Sequence, residues 1–414
     1  MYIKRKLEDT IYTYLDKREI IAVIGPRQAG KTTVLQRIQL GLKNSIFLNF
    51  EDRDELALFE EDIKAFAKKY SPYRYIFIDE FQYSKSGGKN LKYLYDAYPE
   101  LKIIISGSSS VDLTIHAIRY LVGRIFVFNL YQLDFEEYLR FKDPGLSRVY
   151  KEYKKTFYIQ KGLTGFPSIA KSVSNQLNKL LKEFILWGGY PRVVVSQDEE
   201  EKKVVLKNIY NTYFLRDIRD ILGLVDDFRL AKLIKAIASQ IGQLVSYNEL
   251  GITAEYDYLT LKKYLNILEK TYICSPLKPY YLNKRKEITK NPKLYFFDTG
   301  LRNYVIGDFA EVENRSDKGF LYENFIWEQC LKQEIKCNFW RKKTKEEVDF
   351  ILETGGRNIP LESKSESKAE KIPKPIKTFI NDYKTDLAIV LNAGILKKTR
   401  VGKTEVYFLP HWII

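Results

Sequence analysis

Short apolar runs alternate with helical patterns from the start of the chain to about residue 140. The runs are almost continuously apolar, which is typical of strands that are buried on both faces of a sheet. The helical segments between them supply the crossovers that parallel strands require. The pattern predicts an α/β fold with a parallel sheet, whose strands are Glu19–Ile24, Ser45–Phe50, Tyr75–Asp79, Leu101–Ser106 and Ile125–Leu130.

The pattern becomes helical in the middle of the chain. Apolar residues recur at helical spacing from about Leu177 to Leu222, with a break at Gly188-Gly189-Tyr190-Pro191. Residues 228–304 are predicted to form helices followed by a basic, extended two-stranded stretch. The later predicted elements are a helix at Phe320–Ile335 and strands near Val348–Leu352 and Ile359–Lys364.

Length and composition narrow the classes of protein to consider. A chain of 414 residues that is 45% apolar can form two or three domains with buried cores. Its 68 basic and 53 acidic residues give a net charge of +15, which favours a polyanionic partner. Three cysteines without CxxC spacing and two distant histidines argue against a disulfide framework and a Cys/His zinc site. Because there is no signal-peptide pattern and no long apolar run, we expect a cytoplasmic protein without a membrane span.

A glycine-rich segment lies between the first predicted strand and a helix. It matches the P-loop pattern, in which backbone N–H groups surround phosphates. Lys31 is expected to reach the β- and γ-phosphates of ATP, and the Thr32 hydroxyl is expected to bind Mg²⁺. The residues expected to bind ATP in this loop are Gly25, Pro26, Arg27, Gln28, Ala29, Gly30, Lys31, Thr32 and Thr33.

Two acidic residues end the third predicted strand. A carboxylate at the end of a buried strand is costly unless a cation compensates it, so Asp79 is the expected Mg²⁺ partner. Glu80 is then the expected base that polarises the attacking water. At the end of the next strand, Ser106 or Ser108 could sense the γ-phosphate, and an ordinary Gly/Ser turn is the alternative.

Two arginines are candidates for charge stabilisation at the phosphates. Arg124 precedes a predicted strand, and Arg192 follows the Gly188–Pro191 break at the start of a predicted helix. Either could act in its own subunit or from a neighbouring one. The alternative for both is a surface salt bridge.

Several segments together resemble a known family. They are GPRQAGKTT, IFIDEFQ, ISGSSS, LVGRIFVFNLYQLDFEEYL and GGYPR, with KNPKLYFFDTGLRNY and EVDFIL…ESK later in the chain. In this combination the chain looks like the AAA+-type archaeal and bacterial ATPases that carry a C-terminal domain of unknown function. The resemblance implies ATP hydrolysis by a P-loop core with a helical lid, in which GGYPR looks like the lid arginine motif.

The middle of the chain carries a concentrated positive charge. A three-helix rhythm followed by an extended region resembles a winged helix-turn-helix. Residues 259–290 contain eight basic and two acidic residues, a net +6. This segment is expected to contact DNA phosphates, and a protein-binding winged helix is the alternative. The expected DNA-binding residues are Lys262, Lys263, Lys284, Arg285 and Lys286.

Two carboxylates near the C-terminus are expected to face each other. If Gly355-Gly356 is a two-residue hairpin loop, residue 354 pairs with 357 and Asp349 therefore pairs with Glu362. Their Cβ atoms would be about 5 Å apart, which is destabilising unless a cation lies between them. Lys364 would lie on the same face as Glu362.

This set resembles the D…ExK arrangement of restriction-endonuclease-like nucleases. Glu323 adds a carboxylate to the apolar face of the preceding helix, where a buried acid needs a partner. The expected metal ligands are Glu323, Asp349 and Glu362, with Lys364 beside the reacting phosphate. Such a fold can also serve as a DNA-binding or oligomerisation module without cleavage.

The sequence thus predicts an AAA+ core, a helical lid, a winged helix and a restriction-endonuclease-like domain. The expected boundaries are 1–170, 171–226, 227–305 and 306–414. The expected function is Mg²⁺-dependent ATP hydrolysis coupled to DNA binding or remodelling. Metal-dependent DNA cleavage by the C-terminal domain, with a second Mg²⁺ or a Mn²⁺, is left open. The alternative is an ATP-controlled signalling or defence switch whose nuclease-like domain only binds or oligomerises. The expected partners are DNA and further copies of the chain, with a hexameric ring as one arrangement.

Overall fold

The computed structural model describes residues 2–107, 118–156, 169–215, 218, 222–223, 228–343, 346–365 and 371–414. The chain divides into two compact units. The first contains residues 1–133 together with Lys270–Tyr272, and the second contains 134–269 and 273–414.

The first unit is built on a parallel five-stranded sheet with the order β2-β3-β4-β1-β5. Strand β4 therefore separates the strand that enters the P-loop from the strand that carries Asp79. The predicted parallel sheet is confirmed, and the strand ends differ from the predicted ones by a residue at most. The strands are β1 (Ile20–Ile24), β2 (Ser45–Asn49), β3 (Tyr75–Asp79), β4 (Lys102–Gly107) and β5 (Ile125–Asn129).

Helices and aromatic residues cover the sheet on both faces. One apolar cluster contains Ile76, Ile78 and Phe81, and a second, separate one contains Val23, Phe77 and Ile104. Because successive strand residues point to opposite faces, these clusters lie on the two sides of β3. The helices of this unit are α1 (Lys6–Tyr14), α2 (Lys31–Leu40), α3 (Arg53–Glu61), α4 (Ile63–Tyr70) and α5 (Gly87–Ala97).

The second unit begins with helices. The predicted break is present: Gly188 has a φ of 76° and ends a 17-residue helix, and a short helix begins at Pro191. A π-helical segment, Ile209–Leu215, follows the last of these helices. The helices are α6 (Phe135–Lys142), α7 (Pro144–Thr156), α8 (Lys171–Trp187), α9 (Pro191–Val195) and α10 (Glu199–Asn208).

Three helices and a two-stranded antiparallel sheet occupy the basic segment. Leu244 adds an isolated bridge to Lys293 at the edge of this sheet. The prediction of a wholly extended region after the third helix is wrong, because Asn283 caps a short helix that contains the basic cluster. The elements are α11 (Phe228–Ser239), α12 (Tyr247–Ala254), α13 (Tyr258–Lys270), β6 (Cys274–Leu277), α14 (Lys284–Thr289), β7 (Lys293–Phe296) and α15 (Thr299–Ile306).

A six-stranded mixed sheet with the order β12-β13-β11-β10-β9-β8 ends the chain. Thr354 pairs with Arg357 and Phe350 with Leu361, so the hairpin register predicted from Gly355-Gly356 is confirmed. No helix among the described residues is long and apolar enough to cross a membrane. The elements are α16 (Lys318–Lys332), β8 (Lys336–Arg341), β9 (Glu347–Thr354), β10 (Arg357–Lys364), α17 (Lys374–Tyr383), β11 (Leu387–Asn392), β12 (Lys397–Val401) and β13 (Thr404–Pro410).

Candidate functional site

The P-loop connects β1 to α2 along a tightly confined path. A β-carbon at Gly25 would lie 2.1 Å from the carbonyl oxygen of Leu130, so only glycine fits there. Gly30, the N-cap of α2, has a φ of 94°, which glycine adopts without strain. The loop is therefore shaped by its glycines, and α2 begins directly behind it with its N–H groups directed towards the loop.

Lys31 is the buried cation of this loop. Its Nζ donates to the carbonyl oxygens of Gly25 at 2.9 Å and Pro26 at 2.8 Å. Burial lowers the pKa of Lys31 to about 8, although the carboxylates of Glu80 and Asp79 act in the opposite direction. Carbonyl oxygens are neutral acceptors, so this ammonium keeps its charge available for an anion.

Asp79 is at the centre of a hydroxyl–carboxylate cluster at the ends of β3 and β4. Thr32 Oγ1 donates to Asp79 Oδ2 at 2.6 Å, and Ser106 Oγ donates to Asp79 Oδ1. The Thr32 and Asp79 oxygens fit Mg²⁺, which prefers oxygen ligands and few carboxylates. Ser106 contacts Asp79, its role as a phosphate sensor stays a prediction, and Ser108 lies outside the described residues.

Glu80 follows Asp79 in a left-handed backbone conformation, with a φ of 53°. The side-chain amide of Gln82 donates to its carboxylate. Burial raises the pKa of Glu80 above its usual value, while the Gln82 hydrogen bond acts in the opposite direction. The unusual φ turns Glu80 out of the strand direction, and Gln82 holds the carboxylate in one orientation.

Arg5 is a contact of the P-loop that the sequence did not reveal. It is buried, and its guanidinium donates to the carbonyl oxygens of Ala29 at 2.8 Å and Tyr131 at 2.7 Å. It therefore links the loop to the end of β5. An isolated arginine at the N-terminus carries no motif, so only the folded chain reveals this link. Of the other predicted loop residues, Arg27, Gln28 and Thr33 are exposed.

The two candidate arginines lie in different units. Arg124 precedes β5, pairs with Asp96 at 3.2 Å, and its backbone bonds to Ile20 at the start of β1. The P-loop leaves the other end of β1, about 13 Å away at the usual strand rise, so Arg124 does not reach the phosphates of its own subunit. Arg192 is in the second unit, where it pairs with Glu201 at 2.6 Å. An action of either residue in a neighbouring subunit stays a prediction.

Asp298 fixes the glycine break that precedes Arg192. Its Oδ2 accepts the Gly189 N–H at 2.7 Å, while Oδ1 caps α15. A β-carbon on Gly188 would lie 2.1 Å from Asp298, and one on Gly300 would lie 2.0 Å from the carbonyl oxygen of Trp187. The break is thus a packed junction between α8 and α15, and its glycines are required by close contact.

Of the two carboxylates of the C-terminal hairpin, Glu362 is buried and Asp349 is partly buried, and donors contact both. Asp349 Oδ2 accepts the Ser363 N–H at 2.8 Å, and Lys364 Nζ donates to Glu362 Oε1 at 2.7 Å. Glu362 Oε2 has no hydrogen-bond partner among the described residues. Burial, and secondarily the charge of Asp349, raises the pKa of Glu362 to about 8.

A lysine from β7 completes this acidic cluster. Lys293 Nζ is 2.5 Å from Glu347 Oε1 and 3.7 Å from Glu323 Oε2, and Lys293 is only 2% exposed. Tyr295 Oη also donates to Glu323 at 2.9 Å. Burial, then the charge of Asp349, raises the pKa of Glu323 to about 8. Neither Lys293 nor Tyr295 was predicted, because they precede the carboxylates by many residues and match no motif.

The three-carboxylate metal site at Glu323, Asp349 and Glu362 stays a prediction. Among the residues that the structure describes, no three carboxylate, imidazole or thiol side chains form a group that could hold a metal ion. Lysine, tyrosine and backbone donors contact the same carboxylates. These carboxylates therefore have partners from the chain itself.

The basic segment presents its charges to solvent. Lys262 and Lys263 are exposed on α13, and Lys262 Nζ lies 4.4 Å from the centre of the Tyr258 ring. Arg285 and Lys286 are exposed on α14, which Lys284 begins. Exposed apolar residues accompany them: Leu259, Leu282 and Ile288 are each at least 75% exposed.

Three regions of the chain match described families. Residues 17–139 match the family described as an AAA domain. Residues 178–312 and 318–412 match families described as domains of unknown function, DUF8612 and DUF4143.

Full-length relatives exist in bacteria and archaea. An uncharacterized protein of Haemophilus influenzae is 24% identical, covering 97% of this chain and 96% of the relative. An uncharacterized protein of Methanocaldococcus jannaschii is 27% identical, covering 95% and 87%. Among solved structures, the Walker-type ATPase of Pyrococcus abyssi is 17% identical, covering 73% of this chain and 96% of its own, with a TM-score of 0.45. The AAA-domain match, the parallel sheet and the P-loop geometry together support a P-loop ATPase core in the first unit.

Proposed function

We propose that this protein hydrolyses ATP in a Mg²⁺-dependent reaction and couples hydrolysis to DNA binding or remodelling. The observation that carries the first part is the convergence of Lys31, Thr32 and Asp79 at one edge of the parallel sheet. It combines a buried cation for phosphates with two oxygen ligands for a metal.

Each residue has a distinct role in this proposal. Lys31 exchanges its two carbonyl partners for the β- and γ-phosphate oxygens, so the ammonium is in position before the nucleotide arrives. Thr32 and Asp79 hold the Mg²⁺, and Ser106 keeps the Asp79 carboxylate oriented. Mg²⁺ held by these residues would supply positive charge against the charge that develops on the phosphates. Glu80 orients the attacking water and accepts its proton, and Gln82 positions Glu80.

The second part of the proposal rests on the basic segment. Residues 227–305 are proposed to be a winged helix, in which α13 and the β6–β7 connection face DNA. The exposed lysines of α13 and the basic residues of α14 supply a positive surface for phosphates. Lysines of this kind position the protein on DNA without reading a sequence.

The test of both parts is the ATPase rate measured at fixed, stated salt with no DNA and with duplex, single-stranded, forked or junction DNA. We expect at least one DNA to stimulate hydrolysis severalfold, and a charge-reduced variant, Lys262→Ala/Lys263→Ala, to lose the stimulation but keep the basal rate. A basal rate that no DNA changes would favour an ATP-controlled switch instead. An absence of all hydrolysis would refute the ATPase itself.

A second proposal concerns residues 306–414. The pairing of Lys293 with Glu323 and Glu347, and of Lys364 with Glu362, favours a restriction-endonuclease-like module that binds or oligomerises without cleaving DNA. We expect no cleavage of linear, forked or four-way-junction DNA with Mg²⁺ or Mn²⁺. Cleavage that disappears in Asp349→Ala would restore the nuclease interpretation.

A further inference from the structure

Lys293 is the cation around which the acidic cluster is organised. It lies on β7, away from the hairpin in sequence, and its ammonium is buried between a helix carboxylate, Glu323, and a strand carboxylate, Glu347. A buried ammonium is costly unless it is paired, and this one is paired twice.

Cations and donors from several elements face the same cluster. Arg341 on β8 pairs with Glu347 at 3.2 Å, and Lys364 on β10 pairs with Glu362 at 2.7 Å. Tyr295 donates to Glu323 from β7, and the Ser363 N–H donates to Asp349 from β10. Glu323, Glu347, Asp349 and Glu362 thus each have a cation or a hydrogen-bond donor from the chain itself.

A divalent cation at this cluster would compete with Lys293 for Glu323 and Glu347 and would be repelled by its charge beside Asp349. Two cations at one partly buried carboxylate pair repel each other, and the repulsion grows as the local dielectric constant falls. We infer that the Lys293 ammonium is a built-in counter-ion that keeps divalent metal ions out of the cluster formed by Glu323, Glu347, Asp349 and Glu362. The inference deepens the second proposed function, on which it rests, by naming the residue that makes the module metal-free.

Removing the ammonium should therefore create a metal site. Lys293→Met keeps the length of the side chain and removes its charge, which takes from Glu323 and Glu347 the cation that they share. We expect this variant to melt at a lower temperature than the wild type in EDTA and to recover on addition of Mn²⁺, because a ligand that binds only the folded state stabilises it. The wild type should show no such recovery through this cluster.

The experiment compares full-length proteins by thermal melting and by calorimetric titration with Mn²⁺. We expect Lys293→Met to bind Mn²⁺ at least tenfold more tightly at this cluster than the wild type, and the double variant Lys293→Met/Asp349→Asn to lose the gain. The exposed Lys290→Met is the matched control and should behave like the wild type. Mn²⁺ that binds at the P-loop gives the same signal in all variants. The titration of the double variant measures this signal, which is then subtracted from the others.

Two results would overturn the inference. One is a wild type that binds Mn²⁺ as tightly as Lys293→Met and loses that binding in Asp349→Asn. The other is a folded Lys293→Met that gains no Mn²⁺ affinity. If Lys293→Met does not fold, the inference is tested with the wild type, Asp349→Asn and the charge-conserving Lys293→Arg. Mn²⁺ binding at Asp349 in the wild type or in Lys293→Arg would contradict the inference. If the wild type binds a metal ion at this cluster but does not cleave DNA, the inference is wrong and the proposal of a non-cleaving module still stands. The inference and the proposed function can therefore fail separately.

Discussion

Two buried lysines mark the candidate sites of this protein, and they are held in opposite ways. Lys31 donates to the backbone carbonyls of Gly25 and Pro26, whereas Lys293 pairs with the carboxylates of Glu347 and Glu323. Both side chains are almost fully buried. The difference is therefore in the charge of the partners and not in the degree of burial.

The partners determine what each lysine can do. Burial lowers the pKa of Lys31 to about 8, and its carbonyl partners can be exchanged for phosphate oxygens. Burial also acts to lower the pKa of Lys293, but the charges of Glu323, Asp349 and Glu347 raise it above its usual value. A lysine that is bonded only to neutral carbonyl oxygens can still bind an anionic ligand. A lysine that is paired with carboxylates is already bound to anions of the protein.

The strongest test of this contrast replaces Lys31. We expect Lys31→Met to lower the ATPase rate by about 10³-fold, in the upper range for loss of one charge-stabilising donor. The matched control is Lys102→Met. Lys102 is a second buried lysine in the same unit that donates to two carbonyls, those of Lys17 and Glu19, and whose pKa burial also lowers to about 8.

Lys102 begins β4, at the end of the sheet opposite the P-loop, so Lys102→Met should change stability and leave turnover of the folded protein intact. The measurement is steady-state phosphate release at saturating ATP. Equal loss of activity in both variants would mean that Lys31 serves only the fold.

A smaller effect is expected from the neighbouring acid. Glu80→Gln should lower kcat by about 10²-fold, the low end for loss of a general base, with little change in ATP affinity. The amide keeps the size of the side chain and its contact with Gln82 but cannot accept a proton. The measurements are single-turnover hydrolysis and, separately, nucleotide binding by fluorescence. An unchanged kcat in the variant would mean that Glu80 is not the base.

The acidic cluster predicts a pH dependence of stability. The pKa of Glu362 is raised by burial to about 8 from 4.5, so between these values the folded chain holds a proton that the unfolded chain releases. Its contribution to the free energy of unfolding is thus fully present below pH 4.5 and is lost as the pH rises towards 8.

Denaturant unfolding of the wild type and of Glu362→Gln at several pH values should detect this loss as a change in the difference between their free energies of unfolding. The stability of the wild type relative to Glu362→Gln should fall by a few kcal/mol between pH 5 and 8, since one pKa unit corresponds to about 1.4 kcal/mol. A constant difference across this range would mean that Glu362 is ionised throughout.

The smallest effect is expected from lysines that face solvent. In Lys262→Ala/Lys263→Ala, the slope of log K for DNA against log salt should decrease in magnitude by about 2, one unit for each lost phosphate contact. The exposed Lys377→Ala on α17 is the control and should leave the slope unchanged. Fluorescence anisotropy at several salt concentrations measures it, and an unaltered slope in the double variant would move the DNA surface elsewhere.

Local patterns predicted the elements that depend on neighbouring residues. The apolar runs located the parallel strands, and Gly355-Gly356 predicted a hairpin register that the structure confirms. The P-loop and the acids that end β3 were identified because their chemistry requires a fixed spacing. The helix at Lys284–Thr289 was missed because its basic side chains carry no apolar periodicity.

Contacts between distant segments could not be predicted in this way. Arg5 reaches the P-loop, and Lys293 reaches carboxylates on α16 and β9, only because the fold brings these segments together. The motif identified the carboxylates Glu323, Asp349 and Glu362 but not Lys293, the cation that another strand places beside Glu323. The sequence placed Ser106 correctly at the end of its strand. Its contact with Asp79 could not be predicted, because it depends on the strand order that puts β4 beside β3.

The junction at Gly188, Asp298 and Gly300 restricts how this chain can change over time. A side chain at Gly188 would collide with Asp298, and one at Gly300 would collide with the Trp187 backbone. Asp298 is itself buried and bonded to the Gly189 N–H, so we expect a larger residue there to disturb the turn at Gly188. No one of the three positions can accept a larger side chain unless the others move. Random mutagenesis with selection for folding should therefore recover these three residues unchanged or altered in combination, so they would be inherited as a single unit.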